Sequence, residues 1–149
     1  MDGNTREIVS IITAETQAHF FQLMRIRATV FMDEQAVDPL LELDEEDDTG
    51  IHLIAYSGKV PVGTCRVLLH DTYAKIGRLA VLPTHRKKGI ATALLLNAEI
   101  LSEVKNFYYL VLNAQIAALP LYIKNGYVAN GEHFFEANIE HVKMTKKLR

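Results

Sequence analysis

The residues most able to do chemistry lie between Lys75 and Thr92, in KIGRLAVLPTHRKKGIAT. Ile76, Leu79, Val81 and Leu82 make an apolar strand, and Pro83 ends it because proline cannot donate to a sheet ladder. His85-Arg86-Lys87-Lys88-Gly89-Ile90-Ala91 follows and runs into a strongly apolar helix. The first N–H groups of a helix lack intrahelical partners, and the helix dipole adds positive potential there, so a loop delivered to that point is an anion site. Gly89 and Ala91 leave room for a diphosphate to approach the backbone, and Arg86, Lys87 and Lys88 add three cations. The same residues could also form only a solvated basic turn ahead of a core helix.

The elements that must position this loop can be taken in chain order. Glu7 to Ile12 reads as a short strand. Thr13 is placed to cap a helix from Ala14, with Phe20, Leu23, Met24, Ala28 and Phe31 as its apolar stripe and Arg25 and Arg27 as solvated flanking charges. Asp33 to Asp48 carries nine of the chain's eighteen acids and is interrupted by Pro39, so it reads as a loop. It is either a solvated segment or the border of a site for a cationic substrate. Ile51 to Tyr56 and Val60 to His70 form a hairpin across Ser57-Gly58-Lys59. Cys65 in the second strand reads as a buried structural thiol, with Arg66 on the opposite face.

After the loop, a helix from Gly89 to about Lys105 is followed by a strand from Phe107 to Leu112, apolar on both faces and therefore central. Ile116 to Lys124 is a short helix that Pro120 must delay or bend, closed by Asn125-Gly126. Tyr127 to Phe135 and Ile139 to Leu148 are the last strands, joined at Glu136-Ala137-Asn138. The order implies an α/β (α+β mixed) fold in a single domain over residues 1–149.

With 149 residues, 49% hydrophobic and 23% charged, the chain can bury a sizeable core. A net charge of −2 argues against a general nucleic-acid binder. A single cysteine cannot make an intrachain disulfide, no apolar run reaches the ~20 residues of a membrane span, and the N-terminal residues lack a signal-peptide layout, so a cytoplasmic protein is expected. No His, Cys, Asp or Glu set has metal-ligand spacing, so no metal is expected.

GRLAVLPTHRKKGIATALL (residues 77–95) and LNAQIAALPLYIKNGY (residues 112–127) resemble two elements of the GNAT superfamily of N-acetyltransferases: its Arg/Gln-x-x-Gly-x-Gly/Ala pyrophosphate motif and its Asn…Tyr-x-x-x-Gly-Tyr/Phe element. RATVFMDEQ, the acids up to Asp47 with His52, and GEHFFEANIEHVKM resemble the ElaA-like branch. The resemblance implies a central mixed, mostly antiparallel sheet of about six to seven strands, flanked by three to four helices. It implies acetyl transfer from acetyl-CoA to a primary amine of a small molecule or peptide, by direct attack in a ternary complex.

It further implies that the amides of Arg86, Lys87, Lys88, Gly89, Ile90 and Ala91 bind the pyrophosphate, with Thr92 at the edge. Leu79, Ala80 and Val81 would pair with the pantetheine arm, an N–H near Val81 or Leu82 would face the thioester oxygen, and Asn113 would bond the arm. Tyr122 would protonate the leaving thiolate. For the base that deprotonates the amine, Glu34 comes first, His141 second and Glu42 third. Ala91 stands where the family often has glycine, Pro120 interrupts the helix carrying Tyr122, and the usual acidic base position on the central strand is taken by Gly77, Arg78 or Leu79. The alternative is a non-catalytic acyl-CoA-binding domain. A phosphate hydrolase fits less well, since the Gly-x-x-x-x-Gly-Lys-Ser/Thr loop is absent. The expected partners are acetyl-CoA and an amine acceptor, with no nucleic acid and no membrane, and an exposed strand edge near the C-terminus would suit a homodimer.

Overall fold

The computed structural model describes residues 8–149; Glu7, the expected first residue of the opening strand, lies outside them. The strands are β1 (Val9–Thr13), β2 (Ile51–Ser57), β3 (Val60–Leu69), β4 (Ala74–Val81), β5 (Tyr109–Gln115), β6 (Val128–Ala129), β7 (Phe134–Glu136) and β8 (Ile139–Lys147). The helices are α1 (Gln17–Arg27), α2 (Pro39–Glu42), α3 (Glu46–Thr49), α4 (Ile90–Val104) and α5 (Leu119–Lys124). A π-helical segment, Ala28–Glu34, extends α1, and short 3-10 turns precede α4 and α5.

Among the described residues the sheet has eight strands in the order β1-β2-β3-β4-β5-β8-β6, with β7 paired to β8. The count exceeds the expected six to seven because Tyr127 to Phe135 is not one strand: β6 and β7 each pair with a different part of β8. All pairings are antiparallel except β4–β5. That parallel pairing is short. It runs from Ala74↔Leu110 to Ile76↔Leu112, and beyond it the two strands part.

Two helices cover opposite faces. Leu94, Leu95 and Ala98 of α4 pack with Val81, Cys65 and Val67, whereas Ile26, Val30 and Phe31 from α1 and its extension pack with Ala80. Val81 and Ala80 are neighbours on one strand and so point to opposite faces. Burial of a side chain such as Leu94 contributes roughly 1.5–3 kcal/mol. Cys65 is fully buried, and burial pushes its thiol up to about 12.

Two local expectations change and a third holds. Thr16, not Thr13, caps α1. Its Oγ1 accepts from His19 N (3.1 Å), and His19 Nδ1 accepts from Thr16 N (3.2 Å). Ala14 meanwhile donates to His52 O (2.8 Å), which prolongs β1 past Thr13. Reciprocal capping by a partner three residues on decides between two chemically equal threonines. β5 continues to Gln115 because Asn113 to Gln115 stay in register with β8. The 116–124 segment starts late, as Pro120 requires: it begins as a 3-10 turn and becomes α-helical only at Leu119, with Pro120 in the first turn, where its missing N–H costs nothing.

The largest change is Arg27. It is 1% exposed, and its guanidinium bonds Glu42 Oε1 (2.6 Å), Asp47 Oδ1 (2.7 Å) and Asp47 Oδ2 (3.1 Å). Arg66 bonds Asp44 (2.7 Å) and Asp47 (2.9 Å), and Arg78 bonds Asp44 (3.0 Å) and the Glu42 carbonyl (3.0 Å). Glu42, Asp44 and Asp47 are thus neutralised by three arginines from α1, β3 and β4. The acidic segment is anchored to the sheet rather than solvated throughout. Burial lowers the pKa of His52 beside it, and His52 Nε2 lies 2.9 Å from the Asp47 carbonyl.

Candidate active site

Where β4 and β5 part, a cavity of about 640 Å³ opens. It brings together Leu79, Ala80, Val81, Arg86, Ala91, Asn113, Tyr122 and His141, with Glu42 on the α2 wall. These residues come from four separate stretches of chain.

The β4 wall is built by a bulge. Thr64 pairs with Ala80 and Arg66 with Gly77, so Arg78 and Leu79 together oppose Cys65. Arg78 takes a left-handed backbone conformation (φ 53°), unusual for a residue with a side chain. Its guanidinium ties that bulge to the acidic segment through the Glu42 carbonyl and Asp44. Leu82 N donates to Val62 O (2.8 Å), so Leu82 spends its N–H inside the sheet. Alternation along the strand turns the Val81 N–H and carbonyl the other way, into the gap beside β5. The Val81 carbonyl there accepts from Arg86 Nε (3.0 Å). Of the two amides expected to face an oxyanion, only that of Val81 is aimed at the cavity.

The basic loop follows. Lys87 (φ 61°) and Gly89 (φ 81°) are both left-handed, and a Cβ built at Gly89 would meet nothing within 4 Å. The first hydrogen bond of α4 runs from Ala93 N to Gly89 O (3.0 Å), so Ile90, Ala91 and Thr92 have N–H groups without intrahelical acceptors. Lys87, Lys88 and Gly89 are exposed, while the Ile90 side chain is buried in the core beneath the loop. Thr92 Oγ1 lies 3.4 Å from Asn125 Nδ2.

Tyr122 is 9% exposed and lies edge-on to Tyr127, with ring centroids 6.1 Å apart. Burial, with the Cys65 thiol nearby, raises its pKa above the usual phenol range, so it stays protonated at physiological pH.

His141 on β8 is 7% exposed and stacked on Phe134 with centroids 5.8 Å apart. Its Nδ1 sits 2.6 Å from the Ile139 carbonyl. A carbonyl only accepts, so Nδ1 carries the proton and Nε2 keeps a free lone pair.

Glu34 lies outside the cavity lining. Both of its oxygens bond the Arg86 guanidinium at 2.5 Å, and that pairing lowers its pKa. Next to it, Gln35 exchanges amide hydrogen bonds with Gln115, the shorter at 3.0 Å, and both line the cavity. Neither this glutamine pair nor the cavity-lining Glu136 was expected from the sequence. Their partners stand tens of residues apart or across a turn, and nothing in their spacing marks them.

No helix of the described residues is long and apolar enough to cross a membrane.

A family model described as an acetyltransferase (GNAT) domain matches residues 13–148. The chain is 32% identical over 136 residues to the uncharacterized N-acetyltransferase YjcF of Bacillus subtilis (strain 168), covering 91% of this chain and 97% of that one. The crystal structure of an acyl-CoA N-acyltransferase from Pseudomonas aeruginosa superposes with a TM-score of 0.82 at 25% identity, over 92% of this chain and 99% of its own. Escherichia coli ElaA superposes with the same score at 20% identity, over 94% and 100%. With the mixed sheet parted at β4 and β5 and the family model spanning nearly its whole length, this chain belongs to the GNAT acetyltransferase family.

Proposed function

We propose that the protein transfers an acetyl group from acetyl-CoA to a primary amine by direct attack in a ternary complex. One observation carries the reading: a free strand edge and a buried protonated phenol line a single cavity together with Arg86 and Ala91, the residues that flank a left-handed basic turn opening a long helix. The open space at Gly89 and the unpartnered amides of Ile90 to Thr92 suit a diphosphate. The unpaired edge from Leu79 to Val81 suits an extended arm carrying amide groups. A fold neighbour, a GNAT acetyltransferase from Elizabethkingia anophelis, has acetyl-CoA bound.

Acetyl-CoA supplies the acetyl group on a thioester and leaves as a thiol. The chain's own residues do the rest. Amides of Arg86 to Ala91 hold the pyrophosphate, with Thr92 at the edge, and Asn113 bonds the arm. The Val81 N–H stabilises developing charge on the carbonyl oxygen, at no cost in reorganisation because the sheet fixes it. Tyr122 delivers a proton to the departing sulfur. His141 takes a proton from the incoming amine through Nε2, whereas Glu34 is held as a carboxylate by Arg86 and is a weaker base.

Isothermal calorimetry with acetyl-CoA tests the cofactor assignment. Gly89→Glu places a like charge against the phosphates and strains a left-handed position. Binding should weaken by at least about tenfold, with the thermal melt showing the fold intact. Unchanged affinity in the variant, or no binding by the wild type, overturns the assignment.

A further inference from the structure

We infer that Glu136 is the residue that receives the acceptor's ammonium group and, with His141, prepares it for reaction. The inference rests on the acyl-transfer reading above and names the acceptor as an amine that arrives protonated. Glu136 ends β7, and its Oε2 lies 3.9 Å from His141 Nε2, the nitrogen with the free lone pair. That gap is too wide for a direct hydrogen bond. It accommodates an ammonium nitrogen about 2.9 Å from each atom.

Among the described cavity-lining acids, Glu46 starts α3, where it also lines a second cavity with Leu68 and His70, and Glu42 and Asp44 are held by arginines. Glu136 has no such partner and lies at the His141 end of the cavity. The hairpin that presents it is tight: Ala137 (φ 50°) and Asn138 (φ 63°) are consecutive left-handed residues, the backbone of a two-residue turn that sets Glu136 directly opposite Ile139.

The remaining groups around His141 leave Glu136 as its electrostatic partner. From β7 it meets Phe134, and from β5 the neutral Gln115. Lys143 lies two residues along on the same face of β8 and is exposed. Glu140 points to the other face and pairs with His133 at 3.1 Å.

The proton step balances without a further reactant. An alkyl ammonium, with a pKa of about 10 like that of lysine, binds between the carboxylate and Nε2. One N–H bond breaks, its proton forms a bond to Nε2, and the nitrogen keeps the electron pair. The products are a neutral amine and an imidazolium. Glu136 stabilises that imidazolium, which returns its proton to solvent after turnover.

The test compares wild type with Glu136→Gln using two probe amines, n-butylamine, which is charged at neutral pH, and O-benzylhydroxylamine, which is not. Thiol release in the variant should fall at least about tenfold further for n-butylamine than for O-benzylhydroxylamine. Equal losses for both, or none for either, overturn the proposal. In the acetyl-CoA-free protein, n-butylammonium should shift the NMR signals of the His141 ring in the wild type and not in Glu136→Gln. Equal ammonium shifts in both proteins overturn the proposal whatever the activity. Absence of thiol release from wild type with either amine, beside an intact NMR response, instead counts against acyl transfer itself and leaves the ammonium site standing.

Discussion

The Arg86 guanidinium grips Glu34 through two parallel hydrogen bonds of 2.5 Å, joining the loop that opens α4 to the end of the helix that covers the other face of the sheet. Arg86 also holds the Val81 carbonyl at 3.0 Å, so one side chain links the basic loop, the free edge of β4 and the α1 extension.

This pair has a measurable consequence for binding. An anion drawn to the loop competes with Glu34 for Arg86. The pair is about 40% exposed on each side, which puts it among ion pairs contributing roughly 0.2–1 kcal/mol. Glu34→Gln should therefore tighten acetyl-CoA binding up to about fivefold and leave turnover within about tenfold of wild type. A loss of turnover of a hundredfold or more, measured with saturating cosubstrates, would make Glu34 the base instead of His141.

The buried charge cluster makes stability pH-dependent. Burial alone would raise the pKa of Asp47, but the hydrogen bonds and charge of Arg27, aided by Arg66, bring it down from 3.8 to about 2. The folded-state value lies below the unfolded one, so folding favours the carboxylate. That stabilisation is complete above about pH 4 and is lost as the pH falls toward 2, amounting to at most about 2 kcal/mol. Urea midpoints measured across pH 2 to 5 should fall steeply at the acid end. Asp47→Asn should flatten that limb and cost roughly 3 kcal/mol at neutral pH, because Arg27 loses its bidentate partner in a buried site. An equally steep acid limb in the variant would assign the dependence elsewhere.

Tyr122 offers a separable readout. Its ring is packed against Tyr127, and the hydroxyl holds its proton well above neutral pH. Tyr122→Phe keeps the ring and its packing and removes the proton donor. Turnover should fall about a hundredfold, with acetyl-CoA affinity from calorimetry unchanged. Equal turnover in the variant would mean that water or another group protonates the sulfur.

By itself the sequence determined the local pieces. Pro83 ends β4, Pro120 delays α5, Gly89 carries the left-handed turn into α4, and Gly126 closes α5, because each depends on backbone chemistry within a few residues. The two motifs that place the chain in its family are equally local, since a strand, its loop and the next helix are contiguous in the chain. The parting of β4 from β5 could not be read in the same way. It depends on where a parallel register stops, which no property of either strand alone specifies.

Charge was the least legible feature. Nine acids in sixteen residues look alike in a string. Only the fold separates Glu42 and Asp47, buried against arginines that lie 15 to 36 residues away in the chain, from Glu34, exposed on the basic loop's arginine, and from Glu45 and Asp48 at the surface. Arg27 reads as a solvated charge beside an apolar stripe and is in fact the most completely enclosed cation of that cluster. A charged side chain is buried only when distant partners offset its desolvation, and those partners arrive only with tertiary structure. Glu136 and His141 meet on the same terms. Their separation of 3.9 Å is set by the hairpin turn at Ala137 and Asn138 and the ring's tether to Ile139, none of which the residue types at those positions announce.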